Sequence, residues 1–443
     1  MTAQAPPEAK TGGSDGDVLD LVGVGFGPSN LALAILCEEE NTTRGLGDRI
    51  TARYLERQPH FGWHDGMLLP GTDMQISFLK DLVTQRDPTS SYSFLNYLND
   101  RGRLSAFINL QTFTPSRREF HDYLSWAACR VTAPVDYGTS VERIGWNGEH
   151  YEVATSSPRG RRTLRTRSVV LGTGIAPHLP DGVETSRRVF HNHQLIDHLQ
   201  QIPSLDKQTF VVIGAGQSAA EVVKHLYDTY PEAQIHNSFR GFGYTPSDDT
   251  PFANQIFDPE SVDDFYTAPA ELKRELLVKH RLTNYSAVDE DLIDTLFQCC
   301  YDEQVAGIRR LHIHRVTCAE ITGQTDDHVT VQISDLADRD TRSVTADAVI
   351  YATGFRPRDP GDLLDGTINV AGAFVDNLPV VDRDYRFHLP HETNRAGGIY
   401  LNGNVEHSHG LTSSLLSNVA VRARDILTSI TESSATAKES THV

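Results

Sequence analysis

Cysteine is scarce in this sequence, and long apolar runs are missing. The 443 residues include five cysteines, an odd number with irregular spacing and no Cys-x-x-Cys pair: Cys37, Cys129, Cys299, Cys300 and Cys318. This pattern argues against a disulfide framework or a zinc site, and it favours a reducing, cytoplasmic compartment. No apolar run approaches the roughly 20 residues of a transmembrane helix, so we expect no membrane span. Residues 1–17 lack the apolar segment of a secretory signal.

Positive charge is also in the minority. Lysine and arginine total 40 against 59 aspartate and glutamate residues, which gives a formal net charge of −19. An acidic chain repels phosphate groups, so we expect neither a nucleic-acid partner nor binding to anionic lipid. The hydrophobic share of 39% and the charged share of 22% are those of an ordinary globular protein. The length leaves room for two or three domains, and residues 1–16 and 431–443 are predicted to be disordered.

What the sequence does contain is a small unit that occurs twice: an apolar strand, a glycine-rich turn and an apolar helix. In the first copy the turn contains Gly25, Gly27, Pro28 and Asn30. Gly25 permits the tight turn, and Gly27 lets the backbone approach a pyrophosphate. Pro28 suits a first helical turn, because its missing N–H would be unpaired there anyway. Asn30 stands where the usual fingerprint has its third glycine.

An acidic residue follows the next predicted strand. Residues 50–55 are followed by Glu56, whose carboxylate can accept hydrogen bonds from a ribose diol. Strand, glycine turn, helix, strand and acid together predict a dinucleotide site. The alternative for the glycine turn alone is a helix capped by a polar turn.

The second copy lies about 190 residues later and differs at one informative position. Its turn contains Gly214 and Gly216, and its next predicted strand, residues 233–239, is followed by Arg240 rather than by an acid. An acid there would favour the ribose of NAD, whereas an arginine can pair with the extra phosphate of NADP. The second site is therefore interpreted as one for NADPH, with a surface loop cation as the alternative for Arg240.

Two dinucleotide folds in one chain indicate two nucleotides that exchange electrons, usually a nicotinamide and a flavin. The predicted fold class is α/β, with two Rossmann-like dinucleotide-binding domains, for FAD and NADPH, and a small helical substrate-binding portion. The predicted boundaries are 17–205 and 345–430 for the FAD-binding domain, 206–344 for the inserted NADPH-binding domain, and about 254–310 for the helical portion.

Several further segments carry a resemblance to a known family. They are MQISFLKDLVTQRDPTS at 74–90, DDTPFANQ at 248–255, TNYS at 283–286, DAVIYATGF at 347–355 and EHSHGL at 406–411. Over residues 18–425 the chain resembles the flavin-dependent N-hydroxylating monooxygenases, and within them the bacterial L-ornithine N5-monooxygenases of siderophore biosynthesis. The resemblance implies that FAD, NADPH and O₂ serve to hydroxylate the side-chain amine of L-ornithine. A C4a-hydroperoxide of the flavin would deliver the oxygen, and the product would be N5-hydroxyornithine.

The resemblance also implies roles for individual residues. Lys80 would bind the substrate carboxylate, Asn254 and Asn284 its amino and carboxylate groups, and Ser417 would line the far end of the pocket. The implied FAD-binding residues are Gly25, Gly27, Pro28, Asn30, Glu56, Trp63, His64, Gln75 and Leu411. The implied NADPH-binding residues are Gly214, Gly216, Gln217, Ser218, Arg240 and Asn284. No residue is predicted as a general acid or base, and no metal site is predicted. A homo-oligomer is expected, because members of the family are often tetramers.

Several alternatives stay open. Lys80 read by itself is a surface lysine on an amphipathic segment, Asn254 and Asn284 are loop caps, and Trp63 is a packed aromatic. The same chemistry on L-lysine or a diamine is the main alternative function, although a diamine has no carboxylate for Lys80. The others are a non-catalytic flavin-binding partner protein and an NADPH oxidase that makes only peroxide.

Overall fold

The structure is a computed structural model that describes residues 18–202, 207–389 and 397–440. The segment 1–16, which the sequence predicts to be disordered, lies outside the described residues. Within the described residues, no helix has both the length and the apolar character that crossing a lipid bilayer requires.

The strands of the described residues follow one another along most of the chain. In chain order they are β1 (Leu19–Val24), β2 (Ala52–Leu55), β3 (Val135–Asp136), β4 (Ser140–Trp146), β5 (Tyr151–Ser157), β6 (Gly160–Leu171), β7 (Ile175–Pro177), β8 (Val189–His191), β9 (Thr209–Ile213), β10 (Gln234–Phe239), β11 (Leu311–Arg315), β12 (Thr317–Gln324), β13 (Val329–Asp335), β14 (Thr341–Ala346), β15 (Ala348–Tyr351), β16 (Phe355–Pro357), β17 (Phe374–Val375), β18 (Leu378–Pro379) and β19 (Ile399–Leu401).

The α-helices lie between these strands and after the last of them. They are α1 (Pro28–Thr43), α2 (Phe94–Asp100), α3 (Leu104–Leu110), α4 (Arg117–Arg130), α5 (Leu195–Leu199), α6 (Gln217–Thr229), α7 (Pro251–Asn254), α8 (Ser261–Thr267), α9 (Ala270–Lys279), α10 (Glu290–Ala306), α11 (Glu406–His409) and α12 (Val419–Ser440). Helices α7 to α10 form the helical excursion that the sequence predicts for about 254–310.

The first sheet is built on the first glycine turn. Its strand order is β3-β2-β1-β6-β5-β4, and β19 pairs with β6. Strands β3, β2, β1, β6 and β19 are parallel, whereas β4 and β5 form an antiparallel extension. The late strand β19 returns to this sheet and α12 packs against α1, so residues far apart in the chain share one core.

The second sheet is built on the second glycine turn. Its order is β11-β10-β9-β15-β8, and every pair is parallel. Residues of α6 and α10 cover one face, and residues of β13 and β14 cover the other. Because both faces are covered, the central strands are apolar almost throughout, as parallel strands usually are. The predicted α/β class with two Rossmann-like units is therefore confirmed.

Two strands pair in a different sheet from the one that the predicted domain boundaries imply. Strand β8 lies within 17–205 and β15 lies within 345–430, yet both pair into the second sheet. The sequence boundaries were placed by the glycine turns, and strand partners from distant segments leave no local signal. The second unit therefore begins before β8 and extends through β15.

The C-terminal segment also differs from expectation. Helix α12 continues to Ser440, whereas the sequence predicts disorder from residue 431. Its buried face, with Ala423, Ile426, Leu427 and Ile430, belongs to the first core. A helix anchored along such a face can continue past its last packed turn, which the polar composition of the tail does not indicate.

Candidate active site

One continuous cavity of about 3220 Å³ lies at the carboxyl ends of both parallel sheets. Pockets for single small ligands usually measure about 300–1,000 Å³, so this one has room for two nucleotides and a substrate. The predicted site residues on its wall are Gly25, Gly27, Pro28, Glu56, Trp63, His64, Gln75, Lys80, Gly214, Gly216, Gln217, Ser218, Arg240, Asn254, Asn284 and Ser417. The fold thus brings both glycine turns and the four predicted substrate residues to one space.

The first glycine turn has the geometry that its sequence predicts. Gly25 has a φ of 83°, and a Cβ there would lie 2.4 Å from the carbonyl oxygen of Gly172. Gly27 is the N-cap of α1, and a Cβ there would meet nothing within 4 Å. Gly25 is therefore required by the turn itself, whereas Gly27 leaves the start of the helix open to the cavity.

Asn30 and Leu411 differ from expectation, because both lie behind the cavity wall. Asn30 is fully buried, and its Nδ2 donates to the carbonyl oxygen of Gly25 at 2.7 Å. Its Oδ1 accepts from Asn402 Nδ2 at 3.0 Å. Leu411 is also buried and does not belong to the described wall. Asn30 thus holds the turn in shape, a role that a third glycine could not perform.

Glu56 lies where the sequence places it, directly after β2. One carboxylate oxygen accepts from the amide of Phe26 at 2.7 Å, and the other accepts from the amide of Gln58 at 2.8 Å. Each oxygen keeps a further lone pair. The carboxylate is therefore fixed by the backbone and can still accept from a hydroxyl in the cavity.

Trp63 and His64 form an aromatic corner of the wall. Their ring centroids are 4.5 Å apart, and Trp63 also packs 5.9 Å from Phe120, so lining and packing roles coexist in this tryptophan. His64 has a φ of 57°. The surrounding protein desolvates the ring and Arg117 lies nearby, and together they lower the pKa of His64 to about 4. The imidazole is therefore neutral at pH 7.

Gln75 and Gln217 meet on a residue that sequence reasoning missed. The carboxylate of Asp289 accepts from Gln75 Nε2 at 2.9 Å and from Gln217 Nε2 at 2.8 Å. The Asp289 amide also donates to Gln217 Oε1 at 2.9 Å. Asp289 precedes α10, where an aspartate usually caps its own helix, but its side chain makes no cap hydrogen bond. It joins the two nucleotide-binding units instead.

The second glycine turn repeats the first. Gly214 has a φ of 140°, and a Cβ there would lie 2.3 Å from the carbonyl oxygen of Ala352. Gly216 is the N-cap of α6, so Gln217 and Ser218 begin the helix at the cavity. Arg240 is exposed at the end of β10 and has no ion pair with any described residue. Its guanidinium is thus available to an anion.

Lys80 reaches the same cavity from the first unit. It is partly buried, with its Nζ 5.6 Å from the ring centroid of Phe257. Burial lowers the pKa of Lys80, and nearby Asp258 opposes that shift. No carboxylate in the described chain lies within ion-pair distance of its Nζ. A partly desolvated ammonium without a close partner is suited to bind a carboxylate ligand.

Two of the three polar side chains predicted beside Lys80, Asn254 and Ser417, keep hydrogen-bonding capacity. Asn254 Nδ2 donates to the carbonyl oxygen of Asp249 at 2.7 Å, which leaves its other amide hydrogen and its Oδ1. Asn284 lies in the turn after the 3-10 helix Arg281–Thr283. Ser417 is 1% exposed, and its Oγ has no partner in the described structure. Buried polar atoms are seldom left unpaired, so Ser417 indicates a ligand in this part of the cavity.

Among the described residues, no group of three or more histidine, cysteine, aspartate and glutamate side chains could hold a metal ion. The cavity wall carries carboxylates such as Glu56 and Asp289 as well as amides, hydroxyls and the cations Lys80 and Arg240.

Comparison with known proteins agrees with this geometry. The model of a family described as L-lysine 6-monooxygenase/L-ornithine 5-monooxygenase matches residues 17–357. The chain belongs to this family. This confirms the resemblance that the sequence motifs carry.

Individual members of the monooxygenase family are similar over most of their length. A Burkholderia cepacia L-ornithine N(5)-monooxygenase is 40% identical over 406 residues, which is 89% of this chain and 90% of that protein. A Kutzneria sp. 744 ornithine N-hydroxylase, solved with reduced FAD, NADP⁺ and L-ornithine, has a TM-score of 0.87 at 40% identity and covers 94% of this chain and 99% of its own. The ornithine hydroxylase of Pseudomonas aeruginosa has a TM-score of 0.86 at 35% identity, and the match covers 94% of this chain and 100% of that chain.

Two further contacts of this family member join segments around the cavity and were not foreseen. Arg117 and Glu221 form a two-bonded ion pair at 2.8 and 2.7 Å. The hydroxyl of Tyr285 donates to the carboxylate of Glu406, and burial raises the pKa of both groups. The partners are more than 100 residues apart in each case, so no local pattern could have revealed them.

Proposed function

We propose that this chain is an FAD- and NADPH-dependent monooxygenase that hydroxylates the side-chain amine of L-ornithine at N5, with O₂ as the oxygen source. One observation carries the proposal: Lys80, a cation without a carboxylate partner, lies on the same cavity wall as both glycine turns. The names and ligands of the similar ornithine hydroxylases support it.

The two glycine turns supply the cofactor sites. Gly25, Gly27 and the start of α1 would hold the pyrophosphate of FAD, and Glu56 would accept from its ribose. Gly214, Gly216 and the start of α6 would hold NADPH, with Arg240 facing the additional phosphate. When bound, FAD supplies the electron transfer from NADPH and the activation of O₂ that no side chain can provide.

The substrate site is assembled from three segments. The Lys80 ammonium would pair with the α-carboxylate of the amino acid, while Asn254 and Asn284 offer both donors and acceptors to its charged end. Ser417 offers a hydroxyl that the fold leaves unpaired. Anchoring the α-carboxylate at one end fixes how far the side-chain amine extends toward the flavin region.

The reacting amine must be neutral to act as a nucleophile, whereas a free alkyl ammonium has a pKa of about 10. The aromatic corner of Trp63 and His64 contributes apolar surface, and its imidazole is uncharged at pH 7. Desolvation in such surroundings lowers the pKa of an ammonium. The wall thus favours loss of the amine proton and limits the water that competes for activated oxygen.

The direct test is NADPH-dependent formation of a hydroxylamine product from L-ornithine, L-lysine and putrescine in parallel, with added FAD and with peroxide measured. The proposal expects product from L-ornithine with little peroxide. L-Lysine is one methylene longer, a difference worth only about 1–3 kcal/mol in a fitted pocket. Product from L-lysine or putrescine alone would overturn the substrate assignment. Peroxide alone from all three would overturn the hydroxylase assignment.

We also propose that the protein is cytoplasmic and forms a homo-oligomer, expected to be a tetramer. All five cysteines are free, which supports a reducing compartment. Light scattering of the purified protein would give the oligomeric state.

A further inference from the structure

A fully buried arginine stands behind the first glycine turn. Arg422, on α12, is only 2% exposed. Its Nε donates to Asn402 Oδ1 at 2.9 Å, its Nη1 to the carbonyl oxygen of Ser413 at 2.7 Å, and its Nη2 to Ser29 Oγ at 3.1 Å. These acceptors are all uncharged. No carboxylate of the described chain lies within ion-pair distance, and nearby Asp425 pairs with Arg383 instead.

A buried cation without a counter-ion is costly, because it loses its hydration and gains no opposite charge. Hydrogen bonds to neutral acceptors restore only part of that loss. Burial accordingly lowers the pKa of Arg422. The fold therefore keeps a buried positive charge that forms no ion pair with a described carboxylate, and nearby Asp425, which is paired with Arg383, offsets only part of it.

Two hydrogen-bonded paths connect this charge to the glycine turn. In the first path, Asn402 accepts from Arg422 and donates to Asn30 at 3.0 Å. Asn30 in turn donates to the carbonyl oxygen of Gly25 at 2.7 Å. All the donors of this path are oriented in the same sense, away from the arginine, so each bond polarises the next. The asparagine in place of a third glycine is what completes the path.

The second path ends on the cavity wall. Ser29 Oγ accepts from Arg422, and Ser29 is the second residue of α1. Its hydroxyl hydrogen therefore remains for an acceptor in the cavity, which Ser29 lines. The amides of Ser29 and Asn30 have no acceptor within their own helix, because they belong to its first turn.

Ser413 adds an independent observation that points to a ligand. Its carbonyl is held by Arg422, while its Oγ is fully buried, has no partner in the described structure and belongs to a residue of the cavity wall. Thr412 Oγ1, one residue earlier, is likewise buried and unpaired. The unpaired Ser413 hydroxyl on the cavity wall, next to a cation without an ion pair, points to an anion in this corner.

We propose that Arg422 is the electrostatic anchor of the FAD diphosphate. It is a positioning residue: its charge orients the Ser29 hydroxyl toward the anion and polarises the path to the Gly25 turn. The diphosphate in turn neutralises the arginine. This inference rests on the proposed FAD site. By this inference α12 contributes part of the affinity for FAD, although the glycine turn that would hold FAD lies almost 400 residues earlier in the chain.

The test is the affinity of the full-length apoprotein for FAD, followed by quenching of flavin fluorescence without NADPH or amino acid. Arg422→Gln keeps side-chain donors and removes the charge. We expect it to weaken FAD binding by about 10- to 100-fold and to reduce the rise in melting temperature that FAD causes. Arg422→Lys keeps the charge and should lose less. Arg424→Gln, an exposed arginine two residues away, is the matched control and should bind as the wild type does.

A purely structural role gives a different result. Arg422→Gln would then lower the melting temperatures of apoprotein and holoprotein equally and bind FAD within about twofold of the wild type, which would overturn the inference. If Arg422→Gln does not fold, Ser29→Ala decides the matter. We expect several-fold weaker FAD binding at an unchanged apoprotein melting temperature, and unchanged affinity would overturn the inference. Wild-type protein that binds FAD but hydroxylates no amine would overturn the proposed function and leave this inference standing.

Discussion

Arg117 and Glu221 form a nearly buried, two-bonded ion pair that joins the two nucleotide-binding units. Arg117 is the first residue of α4, and Glu221 lies one turn into α6, directly after the second glycine turn. Gln217 also donates to Glu221, at 3.1 Å. The pair thus fixes the start of α6 against the first unit and helps to set the distance between the two cofactor sites.

Removing one partner of this pair leaves a buried charge unpaired. We expect Glu221→Ala to lower the free energy of unfolding by about 3 kcal/mol and to slow reduction of FAD by NADPH. Urea unfolding and anaerobic stopped-flow absorbance measure the two effects. The control is Arg118→Met, which changes the neighbouring exposed arginine. A Glu221→Ala protein as stable as the wild type would show that the pair does not hold the units together.

Arg240 should determine the preference for NADPH over NADH. The residue is exposed at the cavity and has no ion pair with a described residue. We expect Arg240→Leu to raise the KM for NADPH by at least about tenfold, since a charge-assisted hydrogen bond to phosphate is lost, and to leave the KM for NADH unchanged.

Steady-state oxidation of the two coenzymes measures this preference. Arg159→Leu removes an exposed arginine in the turn between β5 and β6 and is the control. Equal changes in both KM values would mean that Arg240 does not contact the distinguishing phosphate.

The parts of the site that sequence could predict are local. Gly25 and Gly214 are predictable from the glycine pattern after each strand. The structure gives the reason for them, because a positive φ and a close carbonyl oxygen exclude a side chain at each turn. Glu56 and Arg240 were found by their position after a strand. The substrate roles of Lys80 and its neighbours came only from the resemblance, and they stay predictions.

The parts that sequence could not predict depend on distant partners. Asp289 looks like a helix cap and serves instead to join Gln75 to Gln217. Arg422 and Ser29 are 393 positions apart, and nothing near either residue indicates the other. Strands β8 and β15 fall within the segments predicted for the FAD-binding domain but pair into the second sheet, because pairing between remote strands is decided by the whole core.

A histidine cluster on the second sheet should make the protein sensitive to acid. His236 Nδ1 lies 2.9 Å from His314 Nε2, and the rings of His236 and His312 stack 4.4 Å apart. Burial is the main cause that lowers the three pKa values, to about 3 for His236 and about 4 for His314, with contributions from Arg309 and Arg342.

Proton binding by the unfolded chain decides the direction in which pH changes the stability. Between pH 6.5 and about 4 the unfolded chain binds protons that the folded cluster does not, so stability is complete above pH 6.5 and falls as the pH is lowered. We expect the melting temperature to drop between pH 7.5 and 5, and to drop less in His314→Gln. The exposed His328→Gln is the control. Parallel curves for wild type and His314→Gln would contradict this account of the cluster.

Lys80 is proposed to bind the carboxylate of an amino-acid substrate in the cavity shared by both cofactor sites. Lys80→Met removes the charge and keeps most of the side-chain volume, and Lys279→Met changes an exposed lysine at the end of α9 as a control. The most direct measurement is the KM for L-ornithine in N-hydroxylated product formation, together with the rate of FAD reduction by NADPH. We expect Lys80→Met to raise this KM by at least about tenfold while the reduction rate stays unchanged. A wild-type KM in Lys80→Met would contradict it.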